Sequence, residues 1–576
     1  MIESKFNAAD YIVFFTVLII SSLIGLQKII NSVFNRFRKV GIENKNECKT
    51  NQTSEYLTAN KSIGLIPVSF SLFASFFSST AFLGVTAEVY EYGLIYWTMV
   101  FGFVIPPILG AFITAPYFAS KNIKSIFEFF EMRYKSKLVR LFTVTCYLLR
   151  SIILTAIYIY GPATAFSTIT SLHDFFSIAL IGTFATIYTT IGGLRAVIFS
   201  DMFQAIVMFM GLLCMVVKGL FDLGGFSAMW KINLENQRLH VFDFRLNPLI
   251  RQTFWSLFIG HVFHYSMSYC FDQQTIQRFA SARTAKIAKI ALLSNAPIGF
   301  VLISLCCFLG LIVFASLSGC DPLLSRQIAS SNQLLTFFIM EKFRNFYGIA
   351  GLCLAAIFSS ALSSVSSTIN TFSMILWEDI LKANKHFRNM TDSQSLRVTK
   401  IISLSSGLLC TCLAFFFASM GSNLIQISAG GVGAVNGPMI GLFALAFFSY
   451  SNQAGSLIGA VFGLIVGLWL NIGVFIERPV YPRLNVSISE CSSLASQNYT
   501  SGFYGTNGQA VNLYGFSRIY SMSAFWYGPI GLMATFIMGS IMSLALNRFS
   551  EIKSGKEVNI SLQNIDQTNA FSLQSF

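Results

Sequence analysis

Between residues 359 and 370 an otherwise apolar stretch reads Ser359-Ser360-Ala361-Leu362-Ser363-Ser364-Val365-Ser366-Ser367-Thr368-Ile369-Asn370. Hydrocarbon gives hydroxyl groups no partners, so such a run must face something polar inside the protein. Hydroxyl and carbonyl oxygens gathered this way suit a small hard cation. A second segment carries similar chemistry, with Ser69, Ser71, Ser75, Ser78, Ser79 and Thr80 interleaved with phenylalanines ahead of Gly84, Glu88 and Glu91. Small residues and hydroxyls at mid-span are what a discontinuous helix needs, because unwound backbone turns its carbonyls toward an ion. A close-packed helix interface uses the same small residues, so this segment alone leaves both readings open.

Three further sets of residues bear on chemistry. Asp201 stands three residues before Gln204, the spacing of a capping box that opens a helix. A buried acid at a helix start is also expensive and is often tied to ions or gating, and the spacing admits both roles. Trp255, His261, His264 and Tyr265 bring aromatic and polar groups into one apolar run, with the two histidines nearly on one helical face. They can meet a carboxylate or be satisfied by neighbouring helices. Arg150 is costly in an apolar span unless it is paired or faces water. A bound carboxylate or a cluster of protein carbonyls would serve it.

The elements that position these residues are membrane spans. Of 576 residues 54% are apolar and 11% charged, against about a quarter charged in soluble domains. Glycine at 41 with 12 prolines fits broken, closely packed helices. The chain reads as an all-α polytopic membrane protein of about thirteen transmembrane helices, near 10–30, 64–87, 92–118, 139–169, 175–192, 200–224, 250–270, 290–316, 346–377, 399–420, 423–449, 454–476 and 523–546. The opening residues carry acids and a lysine, and the first apolar run reaches Ile30, so no cleavable signal peptide is expected. The basic loops Arg36–Lys61, Lys121–Lys137, Arg278–Lys289 and Lys382–Lys400 fall on one side, which the positive-inside rule makes cytoplasmic. The N-terminus is then outside and the C-terminus inside, and the net charge of +14 reflects topology rather than nucleic-acid affinity. This divides the chain into an extracellular stretch 1–9, a transmembrane domain 10–549 with an outer loop at 477–522, and a cytoplasmic tail 550–576.

The glycosylation sequons agree with that orientation. Asn485 and Asn498 fall in the outer loop, whereas Asn51, Asn60, Asn389 and Asn559 fall inside and should stay bare. Of 11 cysteines, Cys320 and Cys491 lie in outer loops, where a disulfide can form. No nucleophile constellation, metal cluster or phosphate loop is present, which argues against an enzyme.

The run Gly192-Gly193-Leu194-Arg195-Ala196-Val197-Ile198-Phe199-Ser200-Asp201-Met202-Phe203-Gln204 resembles the signature of the sodium:solute symporter family. Ala74 to Gly93 resembles the branch that holds the multivitamin, monocarboxylate and iodide transporters. Thr253-Phe254-Trp255, Asp272 to Arg278, Tyr158 to Ala163 and Glu378-Asp379 match further, and the similarity runs over about residues 10–450. The resemblance implies a LeuT-type fold, with inverted repeats at about 64–224 and 250–449. It implies a sodium site built from the carbonyls of Ala74, Phe77 and Ser360 and the hydroxyls of Ser363 and Ser364. A second sodium or coupling position would involve Asp201, Ser366, Ser367 and Asn370. Sugar and iodide carriers of the family place a glutamine where this chain has Ala81, which makes sugar an unlikely cargo and leaves a pocket of Ala81, Trp255, His261, His264 and Tyr265.

The expected activity is sodium-coupled import of a small organic anion, vitamin-like as biotin or pantothenate are, or a monocarboxylate, across the plasma membrane. Na+ is the coupling ion, and the lipid bilayer the surroundings. Carriage of an inorganic anion such as iodide, or a sodium-gated sensor or channel without coupled uptake, are the alternatives. Oligomeric state has no signal in the sequence.

Overall fold

The computed structural model describes residues 6–38, 52–121, 125–170, 172–420, 424–477, 479, 481–491 and 515–553. Among them the secondary structure is helical, apart from one isolated bridge between Ile63 and Ala282. Ten helices are long and apolar enough to cross a membrane, and eleven if one bent pair counts as a single span. One of the ten runs 49 residues with a break inside it, and a further helix among the described residues, of 17 residues, is too short for that count.

The principal helices are α1 (Ala8–Arg38), α2 (Leu65–Phe76), α3 (Thr86–Tyr92), α4 (Met99–Leu109), α5 (Lys137–Thr170), α6 (Asp174–Asp222) and α7 (Phe254–Cys270). They continue as α8 (Gln273–Ser281), α9 (Ala285–Leu317), α10 (Ile349–Ile375), α11 (Asp392–Met420), α12 (Gly433–Ala446), α13 (Gln453–Glu477) and α14 (Tyr527–Lys553). Helix α10 is buried on nearly every residue and packs against α2, α5, α6 and α11, so its polar side chains cannot reach lipid. Helices α12, α13 and α14 pack on one another beside that core.

Two local features shape the interior. Helix α2 stops at Phe76, Phe77 leaves helical geometry at φ −92° and ψ 84°, and the chain resumes as a helix from Thr80, bent by 55°. The carbonyls of the last α2 turn are thereby released from the i+4 ladder. Helix α6 breaks at Gly193, whose φ of +70° is open to glycine without strain. An added Cβ there would also meet the Tyr56 ring at 2.6 Å.

That break corrects one expectation. Residues 193–199 were expected as a connection, with capping of the next helix as one of two roles open to Asp201. The backbone is helical again immediately after Gly193, so Asp201 lies two turns inside α6 and caps nothing. Gln204 instead donates to Ser21 Oγ at 2.7 Å.

Candidate functional site

The break in the second span forms one wall of a cavity. Phe73, Phe76, Phe77 and Ala81 line it from that side, His261, His264 and Tyr265 from α7, and Asn436 from α12. The start of α7 is fixed by a reciprocal capping box, in which Thr253 Oγ1 accepts from the Ser256 amide at 3.1 Å and Ser256 Oγ accepts from the Thr253 amide at 2.9 Å. The His261 ring sits 5.9 Å from Tyr96 and 5.1 Å from Phe525. Its Nδ1 lies 2.7 Å from the Leu257 carbonyl, which only accepts, so Nδ1 carries the proton and Nε2 of the neutral ring is left an acceptor. Part of its polarity is therefore spent within its own helix.

Trp255 departs from the expectation that it lines this pocket. Its indole donates to the Phe244 carbonyl at 3.1 Å and its ring packs on Phe254, which holds it at the loop that precedes α7. It begins the helix two turns before the residues that face the cavity.

The five residues expected to hold sodium, Ala74, Phe77, Ser360, Ser363 and Ser364, are all buried. Helices α2 and α10, which carry them, are joined by a Ser75–Ser367 hydroxyl contact at 2.8 Å. Ser364 Oγ donates to the Ser360 carbonyl at 3.0 Å and Ser363 Oγ donates to Asp201 Oδ1 at 2.7 Å. A hydroxyl that gives its proton away keeps lone pairs for a cation, so both serines retain donor oxygen chemistry. Hydroxyls, carbonyls at a helix break and a carboxylate are the kinds of oxygen ligand that Na+ takes.

Most of the serine run behaves more simply than expected. Ser360, Ser364, Ser366 and Thr368 donate to carbonyls three or four residues back in α10. Ser363 and Ser367, one turn apart, reach across to α6, and Asn370 has no partner for either side-chain polar atom among the described residues.

What they reach is a buried ion pair. Asp201, with no solvent exposure, accepts from Ser71 Oγ at 2.6 Å and Ser363 Oγ at 2.7 Å, and pairs with Arg278 Nη2 at 3.2 Å. Arg278 donates to Ser71 Oγ at 3.0 Å, Ser367 Oγ at 2.7 Å, the Gln274 carbonyl at 3.2 Å, and Ser75 Oγ. One guanidinium thus ties α8 to α2, α6 and α10. Ser367 Oγ lies 3.4 Å from Asp201 Oδ2, while Ser366 turns back into its helix. In the sequence Arg278 stands in a matching run and at the start of the basic loop Arg278–Lys289, whereas the structure buries it in the ion pair.

Arg150 is paired as well. Its Nη1 donates to Asp272 Oδ2 at 2.9 Å, Nε to Asn436 Oδ1 at 2.7 Å and Nη2 to Ser268 Oγ at 3.4 Å. Tyr147 donates to the other Asp272 oxygen at 2.6 Å. Asp272 also caps α8 by accepting from the Gln274 amide at 2.8 Å. The partner is therefore a protein carboxylate, rather than a bound carboxylate or a carbonyl cluster.

Charges of opposite sign also gather beyond the far end of α3. Glu88 pairs with Arg251 and accepts from Gln252, Glu91 pairs with Arg483 at 3.2 Å, and Tyr90 donates to Asp321 at 2.7 Å. A Cys320–Cys491 disulfide closes the same region, where the exposed Asn485 also lies. Its backbone carbonyl accepts from Arg238 at 2.6 Å. Asn498 falls outside the described residues.

Long apolar helices, with a broken span beside a cavity, give the architecture of a polytopic membrane protein with an interior site. The model of the sodium:solute symporter family matches residues 56–467, and the chain belongs to that family. It is 30% identical over 550 residues to the sodium-dependent multivitamin transporter of Oryctolagus cuniculus, covering 94% of this chain and 83% of that protein. It is 32% identical to the human sodium-coupled monocarboxylate transporter 2, covering 94% and 85%. A solved substrate-bound, outward-open Na+-coupled sialic acid symporter superposes with a TM-score of 0.72 at 23% identity, over 94% of this chain and 98% of that one. The fold is LeuT-type, and the protein is a sodium-coupled transporter rather than an enzyme.

Proposed function

We propose that this symporter imports a small organic monoanion, a vitamin-like acid or a monocarboxylate, across the plasma membrane by alternating access. The observation that carries the reading is the cavity wall at the helix break, where Ala81 and three phenylalanines offer an apolar seat for an aliphatic body. The names of the multivitamin and monocarboxylate relatives support the same class. Each sodium moving down about 100 mV releases about 2.3 kcal/mol, and a tenfold concentration ratio adds about 1.4 kcal/mol. Two sodium ions suffice to concentrate a monoanion against its own charge. Tracer uptake of biotin, pantothenate, lactate and iodide with and without sodium tests this. Sodium-dependent uptake of a carboxylate is expected, and uptake of iodide alone would overturn the reading.

Ala81→Gln is expected to lower carboxylate uptake by about tenfold, because overfilling a packed site costs about 1–3 kcal/mol. A variant indistinguishable from the unmodified protein on every anion would show that this wall does not read the substrate.

The topology we assign is thirteen spans with an outer N-terminus and an inner C-terminus, the two inverted repeats at about 64–224 and 250–449. The fall of the basic loops on one side supports it. Glycans are then expected at Asn485 and Asn498 alone. Glycosidase treatment should bring the protein to the mobility of the Asn485→Gln, Asn498→Gln double variant. Sugar remaining on that variant would place another sequon outside.

A further inference from the structure

Asn436 holds an unused donor on the cavity wall. The residue is 1% exposed, and its Nδ2 is the one buried side-chain polar atom among the cavity-lining residues that has no partner among the described residues. The amide cannot be turned to hide it. Oδ1 accepts from Arg150 Nε at 2.7 Å, and a flip would set the NH2 group against the guanidinium N–H, donor against donor.

Arg150 is itself immobilised. Asp272 and Ser268 hold two of its nitrogens, Tyr147 and the Gln274 amide hold Asp272, and the Tyr147 ring lies 5.7 Å from the guanidinium carbon. A charged donor on Oδ1 polarises the amide and strengthens its free N–H groups toward an acceptor. Buried N–H groups without acceptors are uncommon, and one on a cavity-lining residue is open to an acceptor from outside the chain. A cation is repelled by such a group, and Phe76, Phe77 and Ala81 on the facing wall offer an apolar surface.

We propose that Asn436 Nδ2 binds the carboxylate of the transported anion, with Arg150 as the positioning residue that aims it and the apolar wall receiving the rest of the molecule. The inference rests on the organic-anion reading above and names the residue that selects the head group. Because Asp272 begins α8, which also carries Arg278, the carboxylate contact is joined by a chain of fixed polar groups to the Asp201 ion pair.

Sodium-dependent uptake of radiolabelled pantothenate and lactate, normalised to surface protein, tests it through the split between KM and maximal rate. Asn436→Ala should raise KM by about tenfold or more, as loss of a hydrogen bond to a charged group requires, with the sodium activation constant unchanged. Asn436→Asp, of the same shape but negatively charged, should abolish carboxylate uptake. Asn436→Gln, which keeps the amide one methylene farther out, provides a second measure, with an intermediate KM, should the alanine variant fail to reach the surface. Arg150→Lys, which keeps the charge for Asp272 but loses the fork, should also raise KM more than it lowers maximal rate. Unchanged KM in Asn436→Ala or Asn436→Gln overturns this assignment and leaves organic-anion symport standing. Absence of sodium-dependent uptake of either carboxylate by the unmodified protein overturns both.

Discussion

Asp201→Asn is expected to abolish sodium-driven uptake and to lower the thermal stability of the purified protein. Arg278→Gln on the same background should return the stability without returning transport. Asp201 and Arg278 are both fully buried, and Asp201 is the one carboxylate in ion-pair contact with Arg278 among the described residues. Removing one partner of such a pair leaves an uncompensated charge in the interior and costs about 3–5 kcal/mol. Replacing both by neutral hydrogen-bonding groups removes that penalty, since Ser71, Ser75, Ser363 and Ser367 remain to bond with either amide. Transport should still fail in the double variant, because the carboxylate that faces Ser363 is gone. A helix-capping Asp201 would give the opposite result, as asparagine caps as well as aspartate. Normal stability and uptake of Asp201→Asn would show that the pair neither holds the core nor serves the ion. Thermal unfolding together with sodium-dependent tracer uptake separates these outcomes.

Much of this arrangement was legible before any coordinates. The hydroxyls of residues 359–370 implied a polar interior, and the small residues and hydroxyls ahead of Gly84 admitted a broken span or a close-packed interface, of which the structure shows the break, at Phe77. What a single chain withholds is the partner across the bundle. Arg278 lies 77 residues from Asp201, and Asp272 lies 122 from Arg150, so no local spacing joins them. Asn436 precedes Gly437-Pro438 and reads locally as a residue near a helix irregularity, with nothing to show that Arg150 fixes its amide. The serine run shows the same limit at finer scale. Its composition announced polarity, but only rotation of α10 against α6 decides that Ser363 and Ser367 cross to Asp201 while Ser364 and Ser366 bond back into their own helix. Similarly, a glycine pair ahead of Asp201 looked like a connection, and it became a break at one residue because Gly193 alone needed to leave helical geometry.

That rotation separates two neighbouring serines in function. Ser363→Ala should weaken apparent sodium affinity more than Ser364→Ala, although the substitutions are identical and both residues are fully buried. Ser363 Oγ donates to Asp201 at 2.7 Å, a hydrogen bond to a charged group worth about 1.5–3 kcal/mol. Its loss also frees a carboxylate lone pair that must find another donor. Ser364 Oγ donates to the Ser360 carbonyl at 3.0 Å, a neutral contact worth about 0.5–1.5 kcal/mol. Its removal returns that carbonyl to the ion. In each variant a hydroxyl ligand is lost from the site carried by α2 and α10, so both should need more sodium for half-maximal uptake, Ser363→Ala by about tenfold or more and Ser364→Ala by about threefold. Because neither change adds volume or charge, surface delivery should be normal in both. Sodium activation curves at fixed substrate measure the two constants directly. Equal shifts would mean that Asp201 does not act through Ser363, and no shift in either variant would remove α10 from the sodium site altogether.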